Sequence, residues 1–543
     1  MTVARRLYLY VVTGIALAVW AIGTVQLLRT LGVALWEVVA QPPAVGDPES
    51  LRRQLSLGIA LLVVGLPIWA VHWWLVQGGA ASDEHERKSA IRALFLTLVL
   101  LQSFGFWLSA GIELTRQVLL GLLGIAEPAA ITVPRALDEL TVLLVAGTVW
   151  LGHARLARAE HRTLDREGAA AWLPRLYGYG AAATGLTLLI LGIANLLQTA
   201  LDALLTPGAV AGTLRFPLAS YTALSFGGLV GWGVHWSEAI RLVTQRHPAA
   251  DRERRSLVRW TYLGSVVFAT VVGMLVAAAS CANEGLRWLL GAPDGTASQR
   301  LRDMLDPLTW ALPFVFVWWQ HRRIMRREAA IVAAHPQVGP DWAVGVARLL
   351  LYLSTFAGLL LGLFGLGNLV GLFLRVLVAV VTGTTFGEWR GDLALAVSTG
   401  VVGGGAWAVS WREVVARTAT AVTERTSVSR RVYLFGTLGL SVLVVLGTAG
   451  AAVYQLVAAL LGVLPFAVAA SEAAPTLGFT LVALAVLVMH ALVLAEDTRA
   501  VAAHPATRTV RLVLRVPAET DPEKVVQELA THLPPGAVLE RAR

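Results

Sequence analysis

The chain of 543 residues has a single cysteine, Cys281, and only two lysines, Lys88 and Lys524. One thiol cannot close an intrachain disulfide, and no CxxC or Cys/His spacing of a structural zinc site is present. Charged residues make up 15% of the chain, against about 25% in soluble globular proteins. No Walker A, HExxH, GxSxG or kinase signature occurs. The expectation is therefore a protein that is not an enzyme, with no catalytic residue, no metal and no cofactor.

What the chain has instead is apolar surface. AVILMFWYC residues make up 56% of it and the mean hydropathy is +0.66, with apolar runs near the length that crosses a bilayer. The spacing predicts an all-α polytopic membrane protein of twelve transmembrane helices, followed by a small cytoplasmic α/β tail. The basic balance of +9 is almost wholly arginine and serves first as a topology signal, not as an argument for nucleic acid. With the N-terminus inside, 26 basic residues fall in inside segments and 11 in outside connections. This predicts an inner (plasma) membrane protein with both termini cytoplasmic.

Short motifs recur along the chain. Arg6-Leu7-Tyr8-Leu9-Tyr10, Arg175-Leu176-Tyr177-Gly178-Tyr179 and Arg348-Leu349-Leu350-Leu351-Tyr352 each open a first helix, and twenty residues on stand Gln26, Asn195 and Asn368. Second helices begin at Arg52, Arg215 and Arg390 and reach His72, His235 and Ser410 within WAVHW, WGVHW and WAVSW. Third helices are placed at Arg92, Arg259 and Arg431, ending in Leu-Leu-Gly at Gly124, Gly291 and Gly462. Fourth helices carry Asp138 or Asp306, then Trp150/His153 or Trp318/His321, with His490 in the last copy. Three parallel four-helix repeats follow, at 1–170, 171–342 and 343–504, expected around a pseudo-threefold axis along the membrane normal.

The opening Arg-Leu-x-x-Tyr, the first-helix amide and Trp-x-x-His-Trp resemble an uncharacterised family of bacterial multi-pass membrane proteins, domain of unknown function 5671. The resemblance covers residues 4 to about 500 and implies a class, with no activity or substrate attached.

The remaining residues, 505–543, read as a β-α-β tail. Thr509–Val516 alternates as a strand, Asp521-Pro522 caps a helix, and Ala537–Arg541 forms a second strand. The tail is expected to cap the cytoplasmic loops or to mediate self-association or binding of a protein partner.

Candidate ligand-binding residues are Arg52, Arg215 and Arg390, three guanidiniums that could gather phosphate, carboxylate or an anionic lipid head. Snorkelling at the interface, or pairing with a nearby carboxylate such as Glu37, explains them without a ligand. Gln26, Asn195, Asn368 and Glu113 could line a polar vestibule at the outer surface, or bond helix to helix. The Trp-x-x-His pairs are expected as interface anchors, and Asp138 and Asp306 as helix caps. Two functions fit: a non-enzymatic membrane scaffold or accessory protein binding a partner or anionic lipid, and a transporter or channel for a small anionic solute along the axis.

Overall fold

The computed structural model describes residues 3–40, 48–125, 129–163, 168–205, 211–244, 248–292, 295–334, 342–503 and 521–533. One order of elements occurs three times: two long helices, a short helix, then two long helices. The first segment has α1 (Val3–Ala40), α2 (Pro48–Ser82), α3 (Glu84–Arg87), α4 (Ala90–Leu122) and α5 (Ala129–Thr163). The second has α6 (Gly168–Leu205), α7 (Ala211–Thr244), α8 (Pro248–Arg254), α9 (Leu257–Leu289) and α10 (Ala297–Ala334). The third has α11 (Trp342–Thr382), α12 (Arg390–Thr420), α13 (Val422–Arg425), α14 (Val428–Leu460) and α15 (Phe466–Ala503), after which comes α16 (Pro522–Thr531).

Ten of the long helices are long and apolar enough to cross a membrane; α7 and α10 fall short of that measure. In α10 the stretch between the charged ends is itself only weakly apolar, with Pro307, Pro313, Trp310, Trp318, Trp319, Gln320 and His321 among its residues. A helix of 33 residues is about 50 Å long, so its ends stand beyond a hydrocarbon core about 30 Å thick. Large apolar side chains are exposed along the bundle, Leu57, Val63, Phe106, Leu312 and Leu446 among them. In lipid, such exposure carries no hydrophobic penalty.

The third long helices fix the register. Each has 33 residues, follows Ser89, Ser256 or Ser427, and stops before a glycine with positive φ: Gly124 at 72°, Gly291 at 67°, Gly462 at 73°. Left-handed backbone there is open to glycine without a Cβ clash. The serine-to-glycine frame makes Arg92, Arg259 and Arg430 the matching residues. Arg431, placed there by the sequence reading, lies one position on and is exposed. Two further expectations change. Asp138 and Asp306 lie several residues inside α5 and α10, not at their caps. In the tail, α16 is present, with Asp521 Oδ1 accepting from Glu523 N at 3.0 Å; the expected strands at Thr509–Val516 and Ala537–Arg541 lie outside the described residues.

Within each segment the first long helix packs on the second, the third on the fourth, and the first on the fourth. Close backbone approach needs glycine: a Cβ on Gly185 of α6 would fall 2.2 Å from Trp232 N of α7, and one on Gly365 of α11 would fall 2.1 Å from Gly400 N of α12. Between segments, α4 packs on α6 and α7, and α9 on α11 and α12. Among the described residues, α14 and α15 do not pack in this way on α1–α5. The segments therefore form an open row. The pseudo-threefold axis expected from the sequence requires a third boundary like the other two, and the row does not have it.

Candidate functional site

The N-terminal ends of the first and third long helices and the C-terminal ends of the second and fourth meet at one end of the bundle, here the basic end. Three buried ionic clusters sit there. In the first segment, Arg92 Nε and Nη2 donate to Glu160 Oε1 of α5 at 2.9 and 2.6 Å, Nη2 also to Gln77 Oε1 of α2 at 2.8 Å, and Nη1 to Tyr10 Oη of α1 at 3.3 Å. Tyr10 in turn donates to Glu86 of α3 at 3.0 Å, and Arg6 pairs with Glu86 at 2.5 Å.

The second segment repeats this. Arg259 is paired bidentately with Glu328 of α10 and donates to Tyr179 Oη at 2.7 Å, while Tyr179 donates to Glu253 of α8 at 2.7 Å and Arg175 pairs with Glu253 at 2.7 Å. In the third, Arg430 pairs with Asp497 of α15 at 2.5 Å and reaches Tyr352 Oη at 3.5 Å, and Arg348 pairs with Glu424 of α13 at 2.5 Å. Arg92, Arg259 and Arg430 are 1%, 0% and 3% exposed. Such charges are tolerable only because each guanidinium has a carboxylate and further acceptors. The members common to all three clusters tie four helices of each segment together at one end.

Histidines form a second layer just deeper. His153, His321 and His490 of the fourth long helices point Nδ1 at the carbonyl oxygens of Val149, Val317 and Val486, at 2.8 to 2.9 Å. A carbonyl only accepts, so Nδ1 carries the proton and Nε2 is left as an acceptor. Three residues after the buried arginines stand Phe95, Tyr262 and Tyr433. Tyr262 and Tyr433 lie 3.4 and 3.0 Å from His321 Nε2 and His490 Nε2, whereas His153 Nε2 faces Phe95 and has no partner among the described residues. Trp73, Trp236 and Trp411 lie against the same three imidazoles, with ring centroids 5.2, 5.4 and 5.7 Å apart. These histidines are buried between helices and are not the interface anchors expected from Trp-x-x-His.

The histidines of the second long helices behave differently in each segment. His72 lies 3.5 Å from Tyr8 Oη on the outer face of the row. His235 accepts from Tyr177 Oη at 2.9 Å, and Trp150 Nε1 of the preceding segment donates to the same hydroxyl at 2.6 Å. In the third segment both partners are absent, replaced by Leu350 and Ser410. Phe104 packs edge-on against His235, centroids 4.5 Å apart, and Trp107 stacks on Trp150. A tyrosine–histidine pair and a wall from a neighbouring segment thus coincide only between the first and second segments.

That boundary holds a cavity of about 140 Å³. Trp150, Tyr177, His235, Arg158, Glu238 and Glu253 line it together with apolar Leu100, Val234 and Leu242. Glu253 is taken by Arg175 and Tyr179, and Glu238 pairs with Arg241 at 3.1 Å. Arg158 donates through Nε to Ala154 O at 3.1 Å and has no carboxylate partner among the described residues. The cavity therefore combines a guanidinium with no carboxylate partner among the described residues, an aromatic wall and an apolar flank.

The residues singled out from sequence are not brought together. Arg52, Arg215 and Arg390 stand on α2, α7 and α12, which do not pack on one another. Arg215 Nη1 donates to Leu123 O at the end of α4 at 3.2 Å, Arg390 lies over Trp389, and Arg52 is exposed. Asn195 and Asn368 bond carbonyls of their own helices, Leu191 O at 2.8 Å and Phe364 O at 2.7 Å. Gln26 reaches across to Gln54 of α2 at 3.5 Å, and Glu113 is held by Arg116 and Gln117 of its own helix. Asp138 pairs with Arg29 at 3.4 Å, and Asp306 accepts from Gln198 at 2.6 Å.

A family model described as a domain of unknown function, DUF5671, matches residues 6–137, 175–316 and 348–511. The chain belongs to this family. Each DUF5671 match begins at the arginine that pairs with the short-helix glutamate: Arg6, Arg175 or Arg348. No curated protein and no solved structure matches the chain. Sequence reasoning on the DUF5671 segments missed Glu160, Glu328 and Asp497, which sit in charged helix ends that look solvated. Their signal was the near-constant separation from the buried arginines, 68, 69 and 67 residues.

Proposed function

We propose that the protein is a non-enzymatic scaffold of the bacterial inner membrane that binds anionic phospholipid from the cytoplasmic leaflet. In this reading the twelve long helices are twelve spans in three four-helix repeats, and the basic end and both termini are cytoplasmic. The arginine bias supports that orientation. The observation that carries the function is the cavity between the first two segments, where Arg158 offers a guanidinium with no carboxylate partner among the described residues and Trp150, Tyr177 and Leu100 offer the body of an amphiphile an apolar wall. An unpaired guanidinium beside aromatic rings suits a phosphate head whose chain stays in the bilayer.

The test is native mass spectrometry of the full chain released from membranes containing phosphatidylglycerol and phosphatidylcholine. The wild type is expected to retain phosphatidylglycerol preferentially. Arg158→Ala should lose that preference, while Arg326→Ala, at the matching position of the second segment, should keep it. Equal retention of the two lipids by the wild type would sink the lipid reading. Anion flux into liposomes carrying the protein, absent from empty ones, would favour transport of a small anionic solute instead. The tail is proposed to recruit a protein partner or a second copy, and removal of residues 505–543 should then abolish recovery of that partner while leaving lipid retention intact.

A further inference from the structure

The far end of the second segment holds a larger, polar cavity that the reading above does not use. It measures about 790 Å³ and opens between α9 and α10. Glu284 and Arg287 from α9 and Arg302, Asp303 and Asp306 from α10 line its mouth, with Val276, Ala277, Trp310 and Phe314 below. From Arg287 down to Gly273 the lining runs 14 residues along α9, roughly 20 Å. The depth matches one leaflet's share of the membrane better than it matches a surface dimple. Two prolines inside α10, Pro307 and Pro313, remove backbone donors beside the mouth. Gly273 makes room at the floor, since a Cβ there would fall 2.5 Å from Phe314.

The charges at the mouth are of both signs and do not cancel. Arg302 pairs with Asp202 of α6 and lies 3.4 Å from Asp303, Arg287 lies 3.6 Å from Glu284, and Asp306 accepts from the neutral Gln198. Among the described residues three carboxylates, Glu284, Asp303 and Asp306, thus line the mouth with two guanidiniums, of which Arg302 is also taken by Asp202 outside the lining. Arg287 is loosely held, its Nε lacking a hydrogen-bond partner among the described residues.

Among the described residues, the other segments do not carry the same set of charges at the matching positions. In the register set by the buried arginines, Glu284 and Arg287 match Gln117 and Leu120 in α4 and Gln455 and Ala458 in α14. In the register set by the fourth-helix histidines, Arg302, Asp303 and Asp306 match Pro134, Arg135 and Asp138 in α5, and Ser471, Glu472 and Pro475 in α15. The cavity of the third segment in this region is lined by apolar residues such as Leu377, Leu456 and Phe466.

We infer that the far-end cavity of the second segment binds a zwitterionic amphiphile whose head joins a primary ammonium to a phosphate, as in phosphatidylethanolamine of the outer leaflet. The surplus carboxylates, Asp303 and Glu284 foremost, receive the ammonium, and Arg287 receives the phosphate. One acyl chain lies along Trp310 and Phe314. A primary ammonium donates hydrogen bonds that carboxylates can take up, whereas a quaternary one needs an aromatic cage. Trp310 and Phe314 stand on one wall and do not form a cage.

The experiment compares phosphatidylethanolamine with phosphatidylcholine of identical acyl chains, retained by the full-length protein in native mass spectrometry. Phosphatidylethanolamine should be favoured by about tenfold, the order expected of one charge-assisted hydrogen bond. Glu284→Gln and Asp303→Asn should abolish the preference, and Arg287→Gln should lower retention of both lipids. Continued preference for phosphatidylglycerol at Arg158 shows that each variant is folded and separates this site from the one proposed above. If no lipid preference is found but soluble phosphoethanolamine raises the thermal midpoint of the wild type and not of Asp303→Asn, the same head chemistry is supplied by a free solute. Absence of both effects, or a preference that survives Glu284→Gln and Asp303→Asn, overturns the inference.

Discussion

The two ends of the bundle follow different rules. At the basic end an arginine, a tyrosine, a carboxylate from the fourth long helix, a glutamate on the short helix and the opening arginine meet in all three segments, with only Asp497 standing in for a glutamate. At the far end matched positions hold Gln117, Glu284 and Gln455, or Asp138, Asp306 and Pro475. What is repeated holds four helices of each segment together and is fully engaged in doing so. What is not repeated is where one segment can differ from another in what it binds. The middle segment takes part in both cavities, sharing one with the first segment and forming the other between its own α9 and α10.

The largest expected effect lies at the repeated end. Glu328→Ala leaves Arg259 buried without its carboxylate and should cost about 3–5 kcal/mol, read from denaturant unfolding of the detergent-solubilised protein. Glu113→Gln, at a partly exposed pair within one far-end helix, should cost less than about 1 kcal/mol. Comparable losses would erase the distinction between the ends.

Next comes the tyrosine–histidine pair. His235→Ser alone removes the acceptor of Tyr177 Oη and should cost about 1–3 kcal/mol. Adding Tyr177→Leu, which copies the third segment, should restore part of that loss, and a cycle of thermal midpoints measures the coupling. Strict additivity would mean that the pair is incidental.

A smaller effect of opposite sign is expected at Phe95. Phe95→Tyr would give His153 Nε2 the hydroxyl that Tyr262 and Tyr433 supply elsewhere, and should raise stability by about 0.5–1.5 kcal/mol. A destabilised variant would show that the first segment has no room for it.

The smallest effect is at the solvated edge of the basic end. Lys88 beside Glu84 holds that carboxyl below its ordinary range. A lowered carboxylate favours the fold above the ordinary range, and the benefit disappears as pH falls through the lowered value. Because Glu84 is fully exposed, Glu84→Gln should leave the thermal midpoint unchanged at neutral pH.

Much of the framework was legible in the sequence, for physical reasons. Apolar runs of membrane length, the recurring Arg-Leu-x-x-Tyr and the Leu-Leu-Gly stops are local signals, and they located the long helices. Neighbouring arginines defeated the register at Arg430 and Arg431, because one residue turns a helix by about 100° and only packing decides which of the two is buried. Glu160, Glu328 and Asp497 were passed over because a carboxylate in a charged helix end looks solvated until the opposite helix arrives. The arginines at 52, 215 and 390 seemed to surround an axis because threefold repetition suggests a ring. A repeat unit fixes only the step from one copy to the next, and whether those steps close depends on an angle that no motif spells out.

The open row also bears on how such a chain can change in length. A ring admits one number of members, and inserting another forces every boundary to a new angle. Here the same kind of boundary occurs twice, so removing the segment at either end of the row would leave the remaining boundary undisturbed. At the position after the buried arginine the two boundaries bury Ala93 and Trp260, Trp260 packing on Ala343 and Val346 of the following segment, whereas Arg431 is exposed.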